Sequence, residues 1–186
     1  MADSLTPTAP LLGEKVCLDA LEASDVNEDY LGWLNDAEVM RYLGSAGRWA
    51  TRESVLAYLE RFRNGTSDLI LAIRKRHTHL HIGTITINHV NWTLRTGHLG
   101  IMIGRKEYWG KGYALEALRL FIDYLFRDAK LHKLAATAPI ENIASIVTLK
   151  KLGFKTEGML RHEALVGGVY RDLMRLGLLE DEWLPA

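Results

Sequence analysis

Gly100-Ile101-Met102-Ile103-Gly104-Arg105-Lys106-Glu107-Tyr108-Trp109-Gly110-Lys111-Gly112-Tyr113-Ala114 joins two periodicities, and its reading decides the fold. On its N-terminal side Leu99, Ile101 and Ile103 alternate in an apolar, β-branched run, the pattern of a strand. From Ala114 the period lengthens: Leu115, Leu118, Ile122, Leu125 and Phe126 fall at helical spacing, with Arg119, Asp123 and Arg127 among the polar positions. Between strand and helix, Gly110 and Gly112 let the backbone approach a ligand closely and adopt conformations closed to other residues. The first turn of a helix leaves its amides unpaired and carries the positive end of the dipole. Strand, glycine loop and helix start therefore make an anion site, suited to a phosphate or pyrophosphate. It is not a P-loop, because Gly-Lys is followed by Gly112 and no hydroxyl stands ready for magnesium. It is not a dinucleotide fingerprint, because position 115 is leucine where the third glycine belongs. Taken alone, a Gly-x-Gly here also fits an ordinary strand-to-helix turn, so the rest of the chain must decide.

At 186 residues the chain fits one domain with a substantial core. Its formal net charge is zero, so no global field attracts nucleic acid or an anionic membrane, and neither is expected as a partner. Arg74-Lys75-Arg76-His77 reads as a solvated loop tip. Cys17 is the only cysteine, so no intrachain disulfide forms, which suits a reducing compartment such as the cytoplasm. Val16 and Leu18 flank it in a strand-like run, so it is expected to pack rather than react. No apolar run reaches membrane-spanning length. Residues 1–12 lack the basic and apolar regions of a secretory signal and are expected to be a loose tail, ahead of a single domain over 13–186.

Along the chain, Lys15 to Leu21 is a first strand, and Ser24-Asp25 offers a helix N-cap. Two short helical pieces follow, rich in large side chains from Tyr30 to Leu43 and broken near Asn35. Core packing and a flexible cleft wall account for this segment equally well. Thr51 caps a helix from Arg52 to Phe62 that Asn64-Gly65 stops. Leu69 to Ile73 and His79 to Asn88 are strands, the second with period-two alternation. His77, His79 and His81 would then share a strand face, but no cysteine or carboxylate cluster accompanies them, and no metal is expected. Asn91 to Gly97 is turn-like. Lys133 to Ala138 is a short buried strand that Pro139 ends, and Asn142 or Glu141 begins a helix that Gly153 closes. Phe154 to Gly158, Met159 to Leu165 and Val169 to Leu179 are strands, the last two joined by a Gly167-Gly168 hairpin turn.

This order and its motifs resemble the GNAT superfamily of acetyl-CoA-dependent N-acetyltransferases, most closely the branch containing RimJ and RimL. The residues that carry the resemblance are Leu99 to Gly104 with Tyr108 to Ala117, then Glu141-Asn142-Ile143-Ala144-Ser145 running into Lys151 to Gly158, with Arg161 and Tyr170-Arg171-Asp172 continuing the pattern. The match covers roughly residues 13 to 183. It implies an α/β fold with a mixed, mostly antiparallel sheet, splayed open near its middle and flanked by helices. Acetyl-CoA would be the co-substrate. The backbone of Ile101, Met102 and Ile103 would pair with its pantetheine arm, and Trp109, Gly110, Lys111, Gly112, Tyr113 and Ala114 would form the loop holding its pyrophosphate. Asn142 would bond the pantetheine side and Ser145 would lie near the sulfur. Two departures stand out: Glu107 replaces a common Gln or Arg before the glycine loop, and Leu149 stands where many members carry a tyrosine that protonates the leaving thiolate.

The implied reaction is direct attack of a neutral primary amine on the thioester, which requires a base because such amines are largely protonated at neutral pH. His98, on the strand leading to the site, is the candidate base, and Ser145 the candidate donor to the thiolate. A strand amide near Met102 or Ile103 would serve the oxyanion. Glu116 reads as a structural carboxylate, Glu141 as a helix cap, and Tyr170 and Asp172 as braces of the terminal strands. The acceptor is an amine-bearing peptide N-terminus or a small metabolite, including a nucleotide-linked amino sugar. A non-catalytic coenzyme A module is the alternative from another class. The resemblance admits a homodimer without requiring one.

Overall fold

The computed structural model describes residues 5–43, 49–64 and 67–184. Its strands are β1 (Leu11–Leu12), β2 (Val16–Ala20), β3 (Leu69–Lys75), β4 (His81–Asn91), β5 (Thr96–Ile103), β6 (Lys133–Pro139), β7 (Lys155–Val166) and β8 (Val169–Leu179). Its helices are α1 (Glu28–Leu34), α2 (Arg52–Asn64), α3 (Tyr113–Arg127) and α4 (Ile143–Lys151). The strands form one sheet in the order β1-β2-β3-β4-β5-β6-β8-β7. Every neighbouring pair is antiparallel except β5 and β6. The mixed, mostly antiparallel α/β sheet expected from the sequence is therefore what the chain forms.

Alternation in the central strands sorts the core into two layers. Leu69, Leu71 and Ile73 of β3 and Ile85 and Ile87 of β4 meet Leu118, Phe121, Ile122 and Leu125 of α3 on one face. Ile70 and Ala72 of β3 and Met102 of β5 meet Tyr30 and Trp33 of α1 and Val55 and Leu59 of α2 on the other. A strand covered on both faces reads as a continuous apolar run, which is why Leu69 to Ile73 shows no polar alternation. Each fully buried Leu, Ile or Phe here contributes about 1.5–3 kcal/mol.

The β5–β6 pairing holds at Thr96↔Lys133, Gly97↔Leu134 and His98↔Ala135 only. Beyond His98, β5 stays on β4 out to Gly83↔Ile103 and β6 stays on β8 out to Pro139↔Leu173. The two halves of the sheet thus part, leaving a wedge whose vertex is His98 and Ala135. This is the splay that the resemblance implied. α3 and α4 both start beyond the diverging ends of these strands, so two helix N-termini flank the open end.

Several local expectations are corrected. Ser24 and Asp25 do not cap α1: they lie in a 3-10 turn, and Asn27 caps instead, its side chain accepting from the Tyr30 amide. The second helical piece after Asn35 is a set of turns, because the Asp36 carboxylate takes the Glu38 and Val39 amides and the Asn35 side chain reaches out to both backbone groups of Ala50. Only His81 of the three spaced histidines lies on β4; His77 and His79 sit in the preceding turn, His79 at φ +52. β7 is one strand rather than two, with register shifts at Thr156/Gly158 and Leu160/Ala164. Asn142, not Glu141, caps α4, while Glu141 pairs with Arg171 at 3.1 Å. Within the stretch expected to be a loose tail, Leu5 is buried in the core and β1 pairs with β2. Thr51 caps α2 as expected, its hydroxyl accepting from the Ser54 amide at 3.2 Å. Gly65, expected to help stop that helix, lies outside the described residues.

Candidate active site

The wedge is lined by backbone before it is lined by side chains. Gly104 donates to Ile82 O at 2.9 Å, which sets the phase of the β4–β5 ladder. Antiparallel ladders alternate hydrogen-bonded and non-bonded pairs, so Met102, Gly100 and His98 bond to β4. Beyond the last β5–β6 pair at His98, Ile101 and Ile103 then turn their N–H and C=O groups toward the wedge. One of these groups is taken: the Trp109 indole donates to Ile103 O at 2.7 Å, folding the glycine loop back over the strand end. Of the two amides expected to serve an oxyanion, that of Met102 is committed to β4, while that of Ile103 faces the wedge, as does that of Ile101.

Gly110 stands at φ +69 and Gly112 at φ +85, the left-handed region that glycine occupies without steric cost. Gly112 is the N-cap of α3, and the Glu116 amide already bonds back to its carbonyl at 3.1 Å. The amides of Tyr113, Ala114 and Leu115 open the helix without intrahelical acceptors. The loop is held from behind. Lys15 Nζ donates to Lys111 O at 3.3 Å, and the Glu116 carboxylate accepts from the amides of Lys15 at 2.7 Å and Val16 at 3.2 Å. Glu116 is thus the structural carboxylate that was expected. Glu107 is exposed and lies 3.6 Å from Arg105, adding no positive charge to the loop.

Across the wedge, Asn142 spends its side-chain oxygen on the Ser145 amide at 3.2 Å, capping α4. Ser145 is half-buried in the first turn of that helix. Leu149, one turn further, is buried in the core on the α3 side and offers no hydroxyl. His98 sits at the vertex, its Nε2 3.4 Å from Thr137 Oγ1 on β6. Burial, then the positive charge of Arg175 and the neighbouring His89 ring, hold its pKa below the usual imidazole range. His98 is therefore neutral near pH 7 and able to accept a proton.

The sequence reading placed a cleft wall in the Tyr30 to Leu43 segment as one of two options, and it missed the cavity's floor. A cavity of about 620 Å³ lies on the α1/α2 face of the sheet, walled by Tyr30, Leu34, Met40, Trp49 and Tyr58 and floored by Thr84, Thr86, Asn88 and Gly100. Ile101 and Met102 line it too, so it adjoins the wedge, and Asn88 is the direct cross-strand partner of His98. The available signal was the alternation on β4, with Ile85 and Ile87 on one face and Thr84, Thr86 and Asn88 on the other. Burial pushes the Tyr30 phenol up to about 12, so it stays protonated. Lys106, on the glycine loop's approach, pairs with Asp36 at 2.8 Å and Glu38 at 2.7 Å, tying the cavity wall to the loop. The cavity and the wedge thus adjoin.

Among the described residues, one set of possible metal-ligand atoms converges, from Cys17, Asp19 and His79. Asp19 is occupied by Arg74 at 2.7 Å, and Cys17 is buried with its thiol pushed up first by that burial. This set lies outside the wedge.

Residues 15–155 match the family model described as the acetyltransferase (GNAT) domain. The chain is 38% identical over 100 residues to the spermidine N(1)-acetyltransferase of Escherichia coli K12, covering 54% of this chain and 52% of that protein. It is 34% identical over 98 residues to the ribosomal protein uS5 alanine N-acetyltransferase of the same organism, covering 53% and 50%. These matches span about half the length of those relatives. The fold is that of the crystal structure of spermidine N-acetyltransferase from Vibrio cholerae in complex with CoA and spermine, with a TM-score of 0.84 at 22% identity, over 91% of this chain and 98% of that one.

Proposed function

The chain belongs to the acetyltransferase (GNAT) family, and on that premise we propose that it is an acetyl-CoA-dependent N-acetyltransferase acting on a primary amine. The observation that carries this reading is the wedge. Two strands part at His98 and Ala135, and an unpaired backbone edge meets two helix N-termini at the open end. An extended amide chain ending in a pyrophosphate fits such a surface: the edge matches its amides, and the start of α3 matches its charge. Ile101 and Ile103 would bond the pantetheine arm, with Asn142 on the opposite side. The amides from Gly110 to Ala114 would hold the pyrophosphate. Bound there, acetyl-CoA supplies the acyl group as an activated thioester.

The chain's own groups then divide the work. His98, neutral and at the vertex, takes the ammonium proton directly or through one water, giving the neutral amine. An amide of Ile101 or Ile103 donates to the acetyl oxygen as charge develops there. The neutral amine attacks the thioester carbon, and as the C–S bond breaks the Ser145 hydroxyl would give its proton to the departing sulfur and regain one from the now cationic nitrogen, directly or through water, since Leu149 carries no phenol. The cavity on the α1/α2 face receives the amine, because it opens to the wedge at Ile101 and Met102. The unpaired Cys17 suits work in a reducing compartment, the cytoplasm.

The test is release of free thiol from acetyl-CoA across a panel of primary amines. Amine-dependent release supports the enzyme. Acetyl-CoA binding without release from any amine class would instead make this a non-catalytic coenzyme A module.

A further inference from the structure

We propose that the acceptor is a small monoamine with a compact apolar or aromatic body. This rests on the acetyltransferase reading and goes further, because the cavity walls decide which amines can enter. None of the described residues that line the cavity is Asp, Glu, Lys or Arg. Its side-chain polar points are neutral: the hydroxyls of Tyr30, Ser54, Tyr58, Thr84 and Thr86, the Trp49 indole N–H and the Asn88 amide. One N–H of the Asn88 amide is already engaged internally, donating to Thr86 Oγ1 at 2.9 Å. Tyr30 cannot act as an anion near neutral pH, since burial holds its phenol in the protonated form.

Carboxylates do stand nearby, but they are engaged elsewhere. Asp25 and Asp19 are bound by Arg74, and Asp36 and Glu38 by Lys106. Asp68, close enough to Tyr58 to raise its phenol, accepts from the His89 amide at 2.8 Å and the Ser67 hydroxyl at 3.3 Å. A polyamine would therefore carry its second and third ammonium groups into a cavity whose described lining holds no counter-charge, and each ion left unpaired there opposes binding. A monoamine loses its one charge to the base at the vertex and leaves only apolar surface to bury. Trp49, Tyr58 and Tyr30 offer aromatic faces to that body, and Leu34, Met40 and Val55 apolar ones. About 620 Å³ lies within the usual size of a small-molecule site.

The experiment compares kcat/KM of the full chain for phenethylamine, tryptamine, spermidine and a tripeptide with an N-terminal serine, alongside a thermal shift with acetyl-CoA alone. The expected result is that the two arylalkylamines exceed spermidine and the peptide by at least about tenfold. Tyr58→Glu places a carboxylate on the cavity wall at a position that is 42% exposed, so the fold should tolerate it. It should reverse the order by raising spermidine and lowering phenethylamine. Preference for spermidine or the peptide by the native chain overturns the proposal, as does acetyl-CoA binding with no turnover of either arylalkylamine; both leave the family reading standing. Absence of any acetyl-CoA shift counts against the acetyltransferase reading and takes this proposal down with it.

Discussion

His98 and Thr137 face each other across the vertex of the split sheet, with Nε2 and Oγ1 3.4 Å apart. His98 is the last residue of β5 to pair with β6, so its ring lies where the two halves begin to part. That position explains both its depressed pKa and its access to the wedge. The first prediction concerns it. His98→Gln should lower kcat by about 10²- to 10⁴-fold, the usual contribution of a positioned base. In the native enzyme the acid limb of kcat/KM should inflect below the ordinary imidazole value of about 6.5, because burial and the nearby Arg175 cation disfavour the charged ring. A pH-rate profile on both proteins checks this. An unchanged acid limb in the variant would move the proton transfer elsewhere.

Ser145 lies in the first turn of α4, with its amide held by Asn142. Ser145→Ala should lower turnover by about ten- to a thousandfold, since a hydroxyl near sulfur matters most as negative charge develops there. The helix should stay intact, because the cap belongs to the Asn142 side chain and the Ser145 amide, both of which remain. Acetyl-CoA affinity should change little. Kinetics and a binding isotherm on one preparation separate this from simple helix packing, in which turnover would be unchanged.

Gly112 combines φ +85 with a Cβ direction leading to Lys15 Nζ at 3.4 Å. Gly112→Val should abolish acetyl-CoA binding, because the loop must leave its left-handed conformation and its amides then lose their common aim. Calorimetric titration reads the loss, and circular dichroism confirms that the sheet remains. Unchanged affinity would reduce the loop to a turn.

Asp25 is buried beneath α1 and takes both guanidinium NH groups of Arg74, at 2.9 and 2.8 Å. Burial alone would raise its pKa, but the Arg74 hydrogen bonds and charge win and hold it below the usual carboxylate range. Because the folded carboxyl titrates below its unfolded value, its contribution is present in full above about pH 4 and is lost as pH falls through the folded value. Asp25→Ala should cost about 1.5–3 kcal/mol at pH 7, the range for losing hydrogen bonds to a charged group, because Arg74 keeps its ion pair with Asp19. Urea melts of both proteins at pH 7 and pH 3 check it: the difference should shrink at the lower pH.

Much of this was legible in one dimension. The change of period at Gly110 to Gly112 placed β5, the loop and α3. Pro139 and Gly153 bounded β6 and α4, and Gly167-Gly168 set the final hairpin, because each signal is local: a backbone conformation or a side-chain period that neighbours in sequence decide. Other local signals misled where a distant partner intervened. Asp25 has the chemistry of a helix cap, but Arg74, far along the chain, claims its carboxylate. Asn35 looked like a break between two helices, and it is the anchor of Ala50.

What the sequence by itself determined is the order of most elements and the glycine loop between β5 and α3, since these follow from periodicity, glycine and proline; the residues at the wedge came from the family resemblance. What only the tertiary structure decided is where the sheet opens and what the opening adjoins. The split depends on register between β5 and β6, strands separated by the whole of α3. The cavity depends on α1 and α2 coming to rest over the Thr84, Thr86 and Asn88 face of β4. The neutrality of its walls depends in part on Arg74 and Lys106, which hold Asp19, Asp25, Asp36 and Glu38 in ion pairs. Pairings between distant segments leave no periodic trace in a chain, so they become visible only once it has folded.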